Sequence, residues 1–599
     1  MKPPSIRTAL RRLTPALVLG FLLLGFLLRG GRLAGADGLV PADRLSDWGT
    51  WAGHRDATMG RGPLPRVSTL YTNLGSLDRT GATDVSAALQ QSLRLCPSNQ
   101  AVFLPAGTYR LDRQLVFDRD GVVLRGAGPG LTRLLFSGTN DQSVFYISKE
   151  AHEYDFASSK AADLAADIPN GGTNLLLATD PGWAVGDFIS IDQQTNGLLN
   201  PFGSSGECGF CMARPHRAIA QLCQVTGMRD GTHITVLPPI VSGFQRTNSP
   251  QALKAVGMVQ EVGFEDFTIT NATGVATAAY TFWFLGTANC WMTNVEAQVS
   301  YRRHMYSNNA LWLQVQGCRF RLGNGPDWGA PAYGPDRAYS LYLGFGTTCA
   351  WIHDNIFDHV HFAVSLEGTV SGCAVTANFT TNILFSNRYT AQPSIGFHGA
   401  GVNRCLIEGN YCASKFLIDR IWGGGIYGTF FRNRTFNVQA NEGVQVDQYA
   451  VCVDMEGMQY SHSLVGNVFG SKAGNAPWED QVFFPNKGGI YEGSRGQYVY
   501  RLGHPNANAT DYATYDPGVT NTLILKANYD TRTDGIPAAQ AIGSTPLGAS
   551  YFFTAKPASQ GFLPWPWFGS DLPYAAHSPT NLAAGYRFYF GTNPPAARP

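Results

Sequence analysis

Between Asn294 and Arg434 the chain gathers groups that can move protons and hold charge. Tyr301-Arg302-Arg303-His304 is a basic and aromatic cluster, and Asp336-Arg337-Ala338-Tyr339 lies in a Gly/Pro-rich loop. Asp358-His359-Val360-His361 follows Asn355, and Glu367 closes the next short apolar run. Gly396-Phe397-His398-Gly399, Lys415, Asp419 and Arg420 come after it. Two chemistries use such sets. Elimination beside a carboxylate needs a cation to neutralise the acid and a base to take the neighbouring proton. For it, His304, His361 and His398 are the base or acid candidates, and Arg337 and Arg420 the neutralising cations. Glu367 and Asp419 would orient these groups or hold a cation. Hydrolysis instead needs two or three carboxylates converging on one bond, and Glu367, Asp419, Asp454 and Glu456 are candidates. Arg303, Tyr339, Lys415, Arg432 and Arg434 are binding candidates along the same stretch.

Several of these residues have a plainer reading. His359 and His361 alternate with Val360 and Phe362, so period two turns both imidazoles the same way, to line a groove or to stack as a structural pair. Asp454 and Glu456 also share a face, as a working carboxylate pair or as solvent-exposed acids. Arg432 and Arg434 flank Asn433, and such arginines are commonly solvated or paired, here with Asp419 or Glu408.

The elements that would position these groups repeat. Asn355, Asn378, Asn410, Asn433, Asn467 and Asn528 each close a short apolar run, at separations of 23, 32, 23, 34 and 61 residues. A period in the range of about 20 to 50 residues marks a solenoid, and β-branched or aromatic runs ended by turn residues make its unit a strand. Asn tolerates the left-handed backbone of a tight bend, and stacked copies can bond one another. The expected fold is all-β, a right-handed parallel β-helix. The ladder is also a ruler: His361 lies six residues beyond Asn355 and Lys415 five beyond Asn410, which places both along one groove, two coils apart.

Composition agrees with an all-β chain. Of 599 residues, 44% are hydrophobic and only 15% charged, with 68 Gly and 34 Pro. A net charge of +1 gives no electrostatic footprint for nucleic acid. Lys2, Arg7, Arg11 and Arg12 precede the apolar run Leu13 to Leu28, and Ala34-Gly35-Ala36 supplies a small-x-small cleavage site. Residues 1–36 therefore read as an export signal, implying a secreted or cell-surface protein. If the signal is cleaved no stable membrane span is left; a retained anchor, flanked by Arg29 and Arg32, is the alternative.

Residues 37–80 form an extended lead-in. Residues 81–172 hold the cap and first coils, with an amphipathic helix over Thr83 to Leu95 whose apolar face is Val85, Ala88, Leu89 and Leu93. Residues 173–240 read as a small β insertion, 241–546 as the main β-helix, and 547–599 as an aromatic, Pro-rich strap. The strap would cover the last coil, which otherwise presents open edges, although Trp565-Pro566-Trp567 could serve instead as a sugar platform. Cys290, Cys349, Cys373 and Cys405 sit just before strands, as small apolar residues stacked inside the coil. Cys208, Cys211 and Cys223 lie together in a Gly-rich stretch and suit a local disulfide, or a metal site completed by Glu207 or His216.

Gly81-Ala82-Thr83-Asp84, Ala87-Ala88-Leu89-Gln90, Leu104-Pro105-Ala106-Gly107-Thr108-Tyr109 and Leu124-Arg125-Gly126-Ala127-Gly128 resemble the opening of the pectate-lyase superfamily. The resemblance is to its branch shared with rhamnogalacturonases and phage tailspikes, and extends in kind over residues 70 to 530. It implies a β-helix acting on polysaccharide as a monomer or a trimer, most directly a lyase cleaving a uronate-containing glycan. A glycoside hydrolase, or a non-catalytic glycan-binding or adhesion protein, is the alternative on the same fold. Trp351-Ile352-His353-Asp354 is similar to the Trp-Ile-Asp-His run of pectate lyases with acid and His transposed, so that role is not carried over. Gly396-Phe397-His398-Gly399 with Arg420-Ile421-Trp422 is similar to polygalacturonases, but the paired aspartates and Asn-Thr-Asp run of that family are missing. No cofactor is specified; Ca2+ is the cation that solenoid turns could assemble from three coils.

Overall fold

The computed structural model describes residues 38–52, 67–138, 142–150, 152, 160–195, 199, 214–271, 279–323, 339–383, 393–436, 440–441, 444–445, 451–470, 498–504, 515–531 and 533–595. The export signal 1–36, Cys208, Cys211 and Arg337 lie outside the described residues.

Runs of Val, Ile, Phe and Leu broken by Asn, Gly and Ser are too short for helices and fold as strands, stacked in parallel so that each coil passes through three faces. First-face strands include Gln314–Gln316, Trp351–His353, Ala374–Thr376, Leu406–Glu408, Thr429–Phe431, Ser463–Val465 and Ile524–Lys526, paired in register along their length. The second face follows one bend later, from Arg319–Gly323 through Ile356–Val360 to Tyr529–Asp530. The third carries Tyr280–Ala288, Arg303–Leu311, Tyr339–Leu343, Phe362–Glu367, Ile395–His398, Phe416–Asp419, Val451–Glu456 and Tyr498–His504. Inward residues, among them Phe282, Met305, Leu341, Val364, Ile395, Phe416 and Val453, form one continuous core along the axis. The right-handed parallel β-helix expected from the sequence is the fold.

The bend between the first and second faces is held by the Asn ladder. Asn355 Nδ2 donates to Asn378 Oδ1 at 3.0 Å, and Asn378, Asn410, Asn433 and Asn467 each donate to the next Oδ1 at 2.9 Å. Each Oδ1 also accepts the main-chain N–H of the preceding Asn. Gln540 ends the ladder, accepting from Asn528 Nδ2 at 2.9 Å. The left-handed conformation belongs to the residue before each Asn: Asp354, Ala377, Gly409, Arg432, Gly466 and Ala527 have φ between 51° and 67°. The Asn side chain holds a bend that its neighbour makes. At Gly409 a Cβ would also lie 2.3 Å from the Trp567 ring, so glycine answers two demands there.

The capping helix is Ser86–Leu95, with Asp84 accepting the Ser86 N–H at 2.9 Å. Val85, Leu89 and Leu93 close the first coil, whereas Ala88 faces solvent. Residues 80–84, expected in part as helix, extend as a strand instead.

An antiparallel six-stranded sheet, from Ala162–Asp163 to Gln251–Lys254, interrupts the coils and takes in strands on both sides of 173–240. It packs Leu222, Val241 and Leu253 on Ala288, Leu311 and Trp312, where the third face turns into the first. Cys290, Cys349, Cys373 and Cys405 are free and buried, and so is Cys223 in the insertion.

Described segments near both termini lie along the outside of the coils. Leu39, Leu45 and Trp48 join Tyr551 and Phe552 over Ala374, Leu406, Phe431 and Val465 of the first face. Trp567, Phe568 and Leu582 cover Ile356, Phe379, Val468 and Tyr529 of the second. The C-terminal segment therefore runs along two sides of the solenoid, while the residue that meets the end of the ladder, Gln540, precedes it. Trp567 is 1% exposed and donates to Gln560 at 3.0 Å, which makes it core rather than a sugar platform. Among the described residues no helix is long and apolar enough to cross a membrane.

Candidate active site

With two outer faces covered by the chain's own ends, the third is where chemistry can be placed. Its inward positions are apolar, so by period two the intervening side chains point out. Parallel pairing stacks these into two lines. One runs Glu367, His398, Asp419, then Glu456 and His504. The other runs Ser365, Gly396, Leu417, Asp454 and Arg501.

Charge is densely paired here. His398 Nδ1 lies 2.7 Å from Asp419 Oδ2. Asp454 is gripped by Lys415 at 2.7 Å, by Arg501 at 2.8 and 3.0 Å, and by His504 at 2.7 Å. The Arg420 N–H donates to Glu456 Oε2 at 2.9 Å, fixing that carboxyl beside the Asp419 strand.

Environment separates the three acidities. Burial, with the charge of Asp419 next, pushes the Glu456 carboxyl up to about 8, so it carries a proton at neutral pH. Burial opposes the charge on Asp454, but Arg501 and Lys415 hold that carboxyl well below the usual range. Burial likewise opposes protonation of His398, yet Asp419 and Glu367 raise it to about 9, making it an imidazolium. A neutral carboxyl on Glu456 and a carboxylate on Asp454 thus share one strand, with an imidazolium on His398 two strands away. Such a set can donate a proton at one point and present negative charge at the next.

Glu367, His398, Lys415, Asp419 and Arg420 are brought together on this face. His361 and Lys415 belong to coils two strands apart, as the ruler has it, but on different lines, since Val364 pairs with Ile395 and Ile395 with Phe416. His359 does not turn the same way as His361: its φ of 59° breaks the alternation, and its Nδ1 lies 2.6 Å from Asp358. His304 packs on Phe320 with Nε2 3.0 Å from the Arg321 carbonyl, and burial lowers it to about 4. Arg303 and Tyr339 stand farther along the third face, in a tyrosine cluster with Tyr280, Tyr306 and Tyr342.

Arg432 and Arg434 are on the other side of the molecule. Arg432 donates to the carbonyls of Gly548 and Phe568 at 2.7 Å and pairs with Asp571 at 2.8 Å. Arg434 lies over Phe436 at 4.0 Å and Tyr574 at 5.9 Å. Neither meets Asp419 or Glu408 in these pairings; both fasten the C-terminal segment. Among the described residues no group of three or more His, Cys, Asp or Glu side chains is placed to hold a metal ion.

Arg501, His504 and the tyrosines 280, 306 and 342 are absent from the sequence-based set. A signal existed for Tyr306, which lies 23 residues beyond its strand partner Trp283, the Asn355 to Asn378 spacing. Arg501 and His504 carry no such mark, lying 47 and 50 residues from the aspartate they meet.

A solenoid with two faces covered and a charged, aromatic third face is the class this fold defines: a three-faced parallel β-helix. Solved structures similar to the chain include the tailspike protein gp49 from Pseudomonas phage LKA1, at 11% identity over 64% of this chain and 56% of that one, TM-score 0.42. Another is the tailspike gp61 of Pseudomonas phage phi297, at 13% identity over 67% and 65%, TM-score 0.40. A third is PfbA, a surface adhesin of Streptococcus pneumoniae, at 11% identity over 67% and 86%, TM-score 0.31. The chain spans 56% to 65% of the two tailspikes' length, and the likeness is one of fold. No family model matches it, and neither does any curated protein.

Proposed function

We propose that the third face binds a glycan and hydrolyses it, with Glu456 as the acid and Asp419 as the carboxylate that meets the sugar. The observation that carries this reading is the neutral Glu456 carboxyl one strand from the Asp419 carboxylate. Neighbouring strands stand about 4.8 Å apart, close to the roughly 5 to 5.5 Å between the carboxyls of retaining glycosidases. Glu456 would protonate the leaving oxygen while Asp419 attacks the anomeric carbon; water then releases the sugar with Glu456 as base. His398 holds Asp419 in place. Elimination, the more direct implication of the sequence, is less well served. Its base would be His398, already protonated at neutral pH, and the nearby Lys415 and Arg501 are committed to Asp454. A secreted or surface location, and a monomer or trimer, fit a protein working on external polysaccharide.

The test is a panel of polysaccharides incubated with the wild-type chain and with Glu456→Gln. New reducing ends, no ultraviolet absorbance from an unsaturated product, and loss of about a thousandfold or more in the variant are expected. Unsaturated product would replace hydrolysis with elimination. Binding without cleavage by the wild-type chain would leave an adhesin.

A further inference from the structure

Four strands before Asp419 on the third face, the charged lines give way to an aromatic one. Arg303 lies at its centre, its guanidinium carbon 3.8 Å from the Tyr342 ring, 4.8 Å from Tyr306, 5.6 Å from Tyr280 and 5.8 Å from Tyr339. Arg303 is 8% exposed. Four other buried arginines each reach a carboxylate or a main-chain carbonyl, although Arg125 Nη2 and Arg404 Nε also lack an acceptor among the described residues. Arg125 meets Glu265, Arg217 meets Asp192, and Arg404 and Arg434 donate to main-chain carbonyls. Among the described residues Arg303 reaches only the Tyr280 hydroxyl, at 3.4 Å, and its Nε has no acceptor.

A second unpartnered group stands beside it. His361, 5% exposed, stacks on Tyr339 at 6.0 Å and 11°, and neither of its ring nitrogens has a hydrogen-bond partner among the described residues.

Cation–π contact offsets part of the cost of burying a guanidinium, at about 0.5 to 2 kcal/mol for a ring, but supplies no acceptor for its N–H groups. A buried charge without a counter-ion is costly, and a planar fork of donors is the complement of an oxyanion. Tyrosine faces around it suit the apolar face of a sugar ring. Resting on the reading of this face as a glycan site, we propose that Arg303, with Tyr339, Tyr342 and His361, forms a subsite for an acidic sugar, whose oxyanion pairs with the Arg303 guanidinium while its ring lies on the tyrosines. Four strand steps separate this subsite from Asp419, about 19 Å at about 4.8 Å each. Only a chain of several sugars reaches both, so the acidic residue is read at a distance from the bond that breaks.

Affinity electrophoresis through gels containing polygalacturonate, alginate, a sulfated glycan or a neutral galactan tests this. The carboxyl-reduced form of each carboxylated polymer is run beside it. The wild-type chain should be retarded by at least one acidic polymer and released when its carboxyls are reduced, or, for sulfate recognition, by the sulfated glycan alone. Arg303→Met should weaken that binding roughly tenfold to a hundredfold, with Arg303→Lys between, while the melting temperature stays near wild type. Equal retardation by native and carboxyl-reduced polymers, retardation by neutral galactan alone, or no retardation overturns the subsite. Should Arg303→Met misfold, the native-against-reduced comparison on the wild-type chain still decides. The hydrolytic reading fails separately, if Glu456→Gln cleaves like the wild type while Arg303→Met still loses acidic binding.

Discussion

Glu456 and His398 hold their protons for opposite reasons: burial disfavours the charged carboxylate, while neighbouring carboxylates favour the charged imidazole. The consequences for stability run the same way. Glu456 is raised from 4.5 to about 8, so its contribution is complete below its ordinary value and lost as pH rises through about 8. His398 is raised from 6.5 to about 9, so its contribution is complete below 6.5 and lost as pH rises through about 9. Melting temperature should therefore fall from roughly pH 4.5 to 9, most steeply where both groups contribute, at about pH 6.5 to 8, and His398→Gln should flatten the fall above about pH 6.5. Hydrolysis should decline over the upper part of the window, as the acid loses its proton. A melting profile level through this range would mean the carboxylates around His398 do not act on it as the geometry requires.

At the scale of elements, the Asn ladder turns six separate bends into one cooperative line. Asn410 shows what each rung contributes: it donates to Asn433 Oδ1 and the Val375 carbonyl, and accepts from the Asn378 N–H and Nδ2. Asn410→Ala would strand buried donors on Asn378 and leave the Val375 carbonyl short, at about 1 to 3 kcal/mol for each unsatisfied group. The expected loss is roughly 3 kcal/mol or more by denaturant titration. Gln540→Ala, at the ladder's end, should cost less, because water can reach a frayed last coil. The ladder was legible because its repeat is local: an Asn recurs after each strand, whatever the loops between coils do. Which residue takes the left-handed bend was not, since Ala377, Arg432 and Ala527 show no sequence preference for it. The site was legible in part. Glu367, His398 and Asp419 come from consecutive coils, whereas Arg501 reaches Asp454 from 47 residues away, across a longer connection. Arg432 misleads for a related reason. Beside an Asn on a strand it resembles a groove residue, and only the later chain, 139 residues on at Asp571, supplies its partner.

The whole molecule divides its outer surface between self-contact and function. Solenoid coils bury their inner side chains but leave three outer faces, and the two without the charged lines are apolar enough to need cover. Tyr551 and Phe552 close one; Trp567, Phe568 and Leu582 close the other. Fully burying each such side chain is worth about 1.5 to 3 kcal/mol, so the five together contribute on the order of 10 kcal/mol as an upper estimate. Glu408 ties the segment down: it accepts the N–H groups of Tyr551 and Phe552 at 2.9 and 3.2 Å, and burial pushes its carboxyl up to about 7. A chain ending at residue 546 keeps every described residue of the third face, yet exposes Phe379 and Val468 of the second face and thins the cover over Phe431 and Val465, which Leu39, Leu45 and Trp48 still share. Apolar surface exposed in this way favours association of chains. Light scattering should show the truncated chain assembling at concentrations where the full chain does not, with a lower melting temperature. The milder Arg432→Ala, which frees Asp571 and the Phe568 carbonyl, should lower the melting temperature without changing glycan binding on the third face. If it weakens binding as strongly as Arg303→Met does, the separation between a covered pair of faces and a working third face is wrong.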